Sequence, residues 1–226
     1  MAEMVSVTSG PTIGDVASDE HRAAVGKSAH KSAMLRIAKV VCQTGEYVCL
    51  IRDLSELGIG LSFLHEAPSE PRIILQLTNG LTYPLERVWA GKRQAGYRFG
   101  SEISLDEFLH EESPFENRPI RLDITAEARI TDGRAITRVK LIDISREGAK
   151  FESDAAHPEQ RLVSFEALGL PQRLGQVRWQ EDTTFGMQFQ HPLEIQELAT
   201  MAMRSQPFDT PLADRLGGAL AKARAA

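Results

Sequence analysis

Two short clusters carry the side chains best suited to chemistry. Asp143, Ser145 and Gly148 form an Asp-x-Ser-x-x-Gly corner, and Asp53, Ser55 and Gly58 repeat it. A carboxylate and a hydroxyl present hydrogen-bond acceptors, and the glycine permits a φ > 0 corner and lets a ligand approach the backbone. Cationic side chains lie 22 residues upstream of each Asp, at Arg121 and Lys31, with Arg118 and Lys27 preceding them. Acceptors and cations of these types are suited to hydrogen bonding and ion pairing with a ligand, which is binding chemistry. Nothing resembling a nucleophile motif or a Gly-rich phosphate loop accompanies it. No His has an Asp or Cys partner at useful spacing; His30, His110, His157 and His191 stand singly in polar or loop contexts. Asp106, Glu107, Glu111 and Glu112 read as a solvated acidic helix face. The chain is therefore expected to be no enzyme, to take no cofactor and to hold no metal.

The elements that must position these residues also repeat. The corners are 90 residues apart, and so are Trp89 and Trp179, Gly96 and Gly186, and Phe99 and Phe189. A period this long marks duplicated domains. In each unit the strand signals run in the same order. In the first, Arg36 to Cys42 leads through Gln43-Thr44-Gly45-Glu46 to Tyr47–Arg52. Strands over 58–64, 72–78, 81–90 and 95–102 follow, with Asn79-Gly80 as a hairpin signal. Ser104 and Glu107 suggest a capping box opening a helix to about Glu112. In the second, a strand over 122–131 turns at Asp132-Gly133 into 135–142. Strands over 149–153, 161–168, 173–180 and 184–190 follow, with Pro192 at the start of an amphipathic helix ending near Arg204. Six short strands and a closing helix, twice, predict an all-β chain of two tandem six-stranded antiparallel barrels with short C-terminal helices. Trp89 and Trp179 are expected inside them.

The division expected is a disordered or partly helical N-terminal tail at 1–26 and a first domain at 27–112. A linker at 113–116, a second domain at 117–204 and a C-terminal tail at 205–226 complete it. A net charge of −5 over 226 residues argues against a general DNA or RNA binder. No run approaches the length of a membrane span, and residues 1–26 lack the apolar core of a secretory signal, so no membrane insertion is expected. If Thr44-Gly45 were the tight turn, Cys42 would face Tyr47 and Cys49 would face Val40. The sulfurs would then be diagonal, and buried reduced thiols are expected.

The corner after a hairpin's second strand, with a basic motif just before the first strand, resembles the PilZ domain. The resemblance covers about residues 27–112 and 117–204 as a tandem pair. It implies a bacterial cytosolic receptor for cyclic di-GMP, a ligand with two phosphates and two guanines. An Arg fork matches guanine O6 and N7 and also pairs with phosphate. Asp, Ser and a turn carbonyl would accept from the opposite guanine edge. The family's basic motif is two Arg with three residues between, and here the sequence departs from it. The second unit has Arg121 with Asn117 four before it and Arg118 beside that. The first has Lys27 and Lys31, whose charge lacks the planar fork.

The resemblance therefore implies binding in the second unit through Arg118, Arg121, Asp143, Ser145 and Gly148. Lys27, Lys31, Asp53, Ser55 and Gly58 would be a degenerate first site. Binding would order the arm at 114–121 and change an interdomain or protein-partner surface. The contrasting expectation is an interaction scaffold that binds no nucleotide, in which Asp and Ser merely cap their own turns.

Overall fold

The computed structural model describes residues 31–109, 119–167 and 169–206, with side chains from Arg36 onward. The expectations for Lys27, Asn117, Arg118, the linker, the arm before Pro119, His30, His110, Glu111, Glu112, the N-terminal tail and residues 207–226 lie outside the described residues.

Two antiparallel barrels are present, each closed by six strands. The first is built from β1 (Lys31–Cys42), β2 (Gly45–Leu54), β3 (Gly58–Phe63), β4 (Arg72–Gln76), β5 (Thr82–Ala90) and β6 (Gln94–Phe99). Its order is β1-β2-β3-β6-β5-β4, with β4 returning to β1. Helix α1 (Leu105–Leu109) closes one end by burying Phe108 against Tyr83 and Phe99. The second barrel uses β8 (Ala126–Asp132), β9 (Ala135–Ser145), β10 (Gly148–Glu152), β11 (Leu162–Ala167), β12 (Arg173–Glu181) and β13 (Thr184–Phe189) in the same circular order. The two-residue strand β7 (Arg121–Leu122) adds to the edge of β9. Helix α2 (Ile195–Arg204) closes this barrel through Leu198, Ala199, Met201 and Ala202. Glu194 and Glu197 form its capping box, satisfying orphan amides at the N-terminus.

Alternation explains the strands. Val40, Cys42, Cys49 and Ile51 point into the first core; Ile130, Val139, Leu141, Phe151 and Phe165 point into the second. Each inward set removes apolar area from water at about 25 cal/mol per Å².

The local expectations are corrected in several places. Cys42 pairs with Gly45 and Cys49 with Ala38, so the hairpin turn is Gln43-Thr44 and the registers shift by two. Both thiols are reduced and buried, and burial pushes the Cys42 thiol up to about 12. The Asn79-Gly80 hairpin has a three-residue loop, with the Gly80 amide donating to Leu77 O and Gly80 at φ +87°. Asp132 pairs with Ala135, which puts the turn at Gly133-Arg134. The strand expected over 122–131 is broken between Leu122 and Ala126. Pro192 precedes the N-cap Glu194 and lies outside the helix.

The barrels meet through the outer face of the β1–β2 hairpin. Val48 belongs to the second barrel's hydrophobic cluster, and Ile37 packs against it. His65 shares a 3.3 Å hydrogen bond with Thr200 on α2, and Gln206 Nε2 donates to Glu46 O at 2.8 Å.

Candidate functional site

The corner Asp-x-Ser-x-x-Gly spans the end of one strand and the start of the next. Asp143 is within β9, Ser145 ends it, and Gly148 begins β10. Ser145 is fully buried and its hydroxyl is used locally. Its Oγ donates to Gly148 O at 3.1 Å and accepts the amides of Glu147 and Gly148 at 3.2 Å. Ser55 does the same with Gly58, donating at 3.2 Å and accepting at 3.0 Å. In both barrels the serine therefore shapes the corner as a side-chain cap. Among the described glycines, positive φ occurs at Gly45, Gly80, Gly133 and Gly169 and at neither Gly58 nor Gly148. Gly148 is required for space instead: a Cβ there would sit 2.3 Å from Met187 O on β13. The expectation that this glycine serves a left-handed bend is corrected accordingly.

Asp143 does face the proposed site. Arg121 Nη1 donates to Asp143 Oδ1 at 2.7 Å. The carboxylate side chain is 9% exposed while the guanidinium is 53% exposed, so the Arg keeps donors directed at solvent. The register Arg121↔Ser145 and Leu122↔Ile144 places this pair at the corner. Leu122, fully buried in the second core, anchors the strand that presents Arg121.

Around this pair lies an open cleft of about 380 Å³, within the usual size of small-molecule sites. Pro119, Arg121, Asp143, Gly148, Lys150, Arg178, Trp179 and Gln188 line it. Trp179 is half-buried on the outer face, and Trp89 has the matching place on the first barrel; neither fills a core. The cause is a bulge. The pairing passes from Val177↔Met187 to Trp179↔Gly186, which leaves Arg178 between them and turns the indole along the sheet. Gly186 admits the ring, since a Cβ there would lie 2.1 Å from Trp179 Nε1. Lys150 Nζ stands 5.7 Å from the Trp179 ring centroid.

Lys150, Arg178, Trp179 and Gln188 were not among the site residues expected from sequence. The 90-residue repeat contains the signal. The partners of Lys150 and Arg178 in the first unit are Gly60 and Val88. The first barrel thus lacks two of the cations that surround the second barrel's cleft. There Asp53 is exposed, Gly60 lies against its carboxylate, and Lys31 pairs with Leu54 in the backbone ladder. His157 lies in a loop, where it is buried, stacked on Phe185 at 4.2 Å and hydrogen-bonded to Ser153 at 3.1 Å.

Among the described residues, no group of three or more His, Cys, Asp or Glu side chains could hold a metal ion. No described helix is long and apolar enough to cross a membrane.

The cleft at this corner of the second barrel is lined by the cations Arg121, Lys150 and Arg178 and by the carboxylates Asp143 and Glu147. Residues 115–203 match the PilZ domain family model, so the resemblance read from the corner motif holds over the second unit. No curated protein sequence matches the chain. Among solved structures it is similar to the PlzA protein of Borreliella burgdorferi in complex with c-di-GMP. That likeness has 15% identity and a TM-score of 0.32, covering 81% of this chain and 98% of that one. It is also similar to the inhibitor of motility MotI/DgrA of Bacillus subtilis, at 8% identity and TM-score 0.34, covering 76% and 96%. YcgR from Escherichia coli in complex with c-di-GMP is similar at 13% identity and TM-score 0.29, covering 84% and 87%.

Proposed function

We propose that the chain is a bacterial cytosolic receptor for cyclic di-GMP and that its second barrel binds the nucleotide. The observation that carries this reading is the Arg121–Asp143 pair, at 2.7 Å, on the wall of a cleft inside the PilZ-matching region. Arg121 offers a guanidinium fork to guanine or phosphate, and Asp143 offers a carboxylate to guanine N–H donors. Lys150 and Arg178 add positive charge for the two phosphates, and the Trp179 indole offers a face on which a purine can stack. Arg118 joins this set as a second fork, from the segment just before Pro119. Ser145 and Gly148 contribute by shaping the corner, with the backbone of Gly148 at the cleft wall.

The first barrel serves as a partner domain. Its candidate residues Lys27, Lys31, Asp53, Ser55 and Gly58 are assigned no ligand, because Gly60 and Val88 replace the cations of the second cleft. Binding is transmitted through the contact between barrels to a protein effector, without catalysis. The contrasting scaffold reading draws on the Ser145 hydroxyl being satisfied within its own turn. Titration of the whole chain with cyclic di-GMP, with GTP and cyclic di-AMP as controls, separates the two readings. Selective binding supports the receptor, and no binding supports the scaffold.

A further inference from the structure

The strand that presents Arg121 is only two residues long, and its next amide is taken by the other barrel. Asp123 N donates to Glu46 Oε2 at 2.8 Å. Glu46 lies at the start of β2 in the first barrel and is 1% exposed. The same oxygen accepts Lys39 Nζ at 2.9 Å, and Lys39 is itself buried. The cross-strand registers Val41↔Glu46 and Lys39↔Val48 make the two side chains diagonal neighbours on the outer face of the hairpin. Gln206, beyond α2, closes the other side by donating to Glu46 O. Leu122 and Ile124, on either side of Asp123, are fully buried in the cluster that Val48 enters. An ion pair removed from water in this way is costly unless its remaining hydrogen-bonding capacity is used. Here Glu46 Oε2 also accepts the backbone amide two residues from Arg121.

Building on the reading of the second barrel as the ligand site, we infer that Glu46 is a positioning residue for Arg121. The first barrel, which has Gly60 and Val88 where the second cleft has Lys150 and Arg178, holds the arginine strand of its neighbour through this carboxylate. The coupling is reciprocal by thermodynamic linkage. A ligand that fixes Arg121 tightens the docking of the barrels, and undocking loosens the arginine.

Three forms of the full chain test this: wild type, E46A, and the double variant K39M with E46Q. The double variant keeps an amide oxygen to accept the Asp123 N–H and removes the charge that would otherwise be buried alone. Hydrogen exchange by mass spectrometry reads peptides over 119–125 without ligand, and calorimetry reads cyclic di-GMP affinity. The expected result for E46A is exchange faster by about tenfold or more in those peptides, with the inner strands of both barrels unchanged. Affinity should weaken by about tenfold, and the double variant should restore both quantities to within about threefold. Unchanged exchange at 119–125 overturns the inference. So does acceleration spread over both barrels, which denotes general destabilisation, or local acceleration with unchanged affinity. A wild type that binds no cyclic di-GMP sinks the ligand assignment, and with it the role toward the ligand. The exchange comparison still decides whether Glu46 holds the strand.

Discussion

Alanine at Gly186 tests whether the Trp179 indole is a wall of the binding cleft. The methyl group would stand 2.1 Å from Trp179 Nε1, against an ordinary contact of 3.4 Å or more, so the ring must retreat by about 1.3 Å or leave its rotamer. The first barrel supplies an internal control. At Gly96 the same substitution places a methyl 2.0 Å from Trp89 Nε1, on a barrel to which no ligand is assigned. Overpacking of this kind costs about 1–3 kcal/mol. For a chain of this size each kcal/mol lowers Tm by about 2–4 °C. G186A and G96A should therefore lose similar stability, by about 2–12 °C. Their affinities should differ. Loss of a stacking surface is worth about 1–3 kcal/mol per base, or about 5- to 150-fold in Kd, and only G186A should show it. Thermal melts and calorimetric titration with cyclic di-GMP give both quantities. Intrinsic fluorescence, from the chain's two tryptophans, reports that the indole has moved. Wild-type affinity in G186A with an altered fluorescence spectrum would refute the argument, as would an equal loss of affinity in G96A.

Two further outcomes concern the corner and the core. S145A and S55A should each destabilise the chain by about 1–3 kcal/mol in urea unfolding, because each leaves buried corner backbone groups short of a partner. A much smaller cost in both would show that the serines do not hold the corners. Burial lowers the pKa of His157 below its ordinary value of 6.5, with Asp132 opposing. The unfolded chain then takes up the proton more readily than the folded one. The stability this withholds is fully present above about pH 6.5 and is lost as pH falls through the folded pKa. H157Q should flatten that part of the Tm profile between pH 7.5 and 5; an unchanged slope would count against the assignment.

The doubled barrel was legible because the 90-residue repeat and the alternating strands report the same thing, burial of one face. The resemblance grouped Arg121 and Asp143 in one site, whereas their ion pair follows from the register Arg121↔Ser145. What sequence reading missed depends on bulges and on neighbours. Trp179 looked like core because an indole is large and apolar. A one-residue bulge at Arg178 turns it outward, and hydrophobic alternation cannot show a bulge. His157 sits in a polar loop, and no local pattern shows that its ring stacks on Phe185. The contact between Glu46 and Asp123 joins residues 77 positions apart in different barrels, beyond any local pattern. The glycine of the corner motif was read for backbone freedom, whereas its absent side chain matters through the crossing strand at Met187.

The central claim is that Arg121 and Asp143 bind cyclic di-GMP in the second barrel. The most direct measurement is calorimetric titration of the full chain and of R121A with cyclic di-GMP, both confirmed folded by circular dichroism. Selective binding is expected of the wild type. R121A should lose about 1.5–3 kcal/mol, or about 10- to 150-fold, as for a hydrogen-bonded charge. An R121A variant that titrates like the wild type, or a wild type that gives no heat and no thermal shift at high ligand, would contradict the claim.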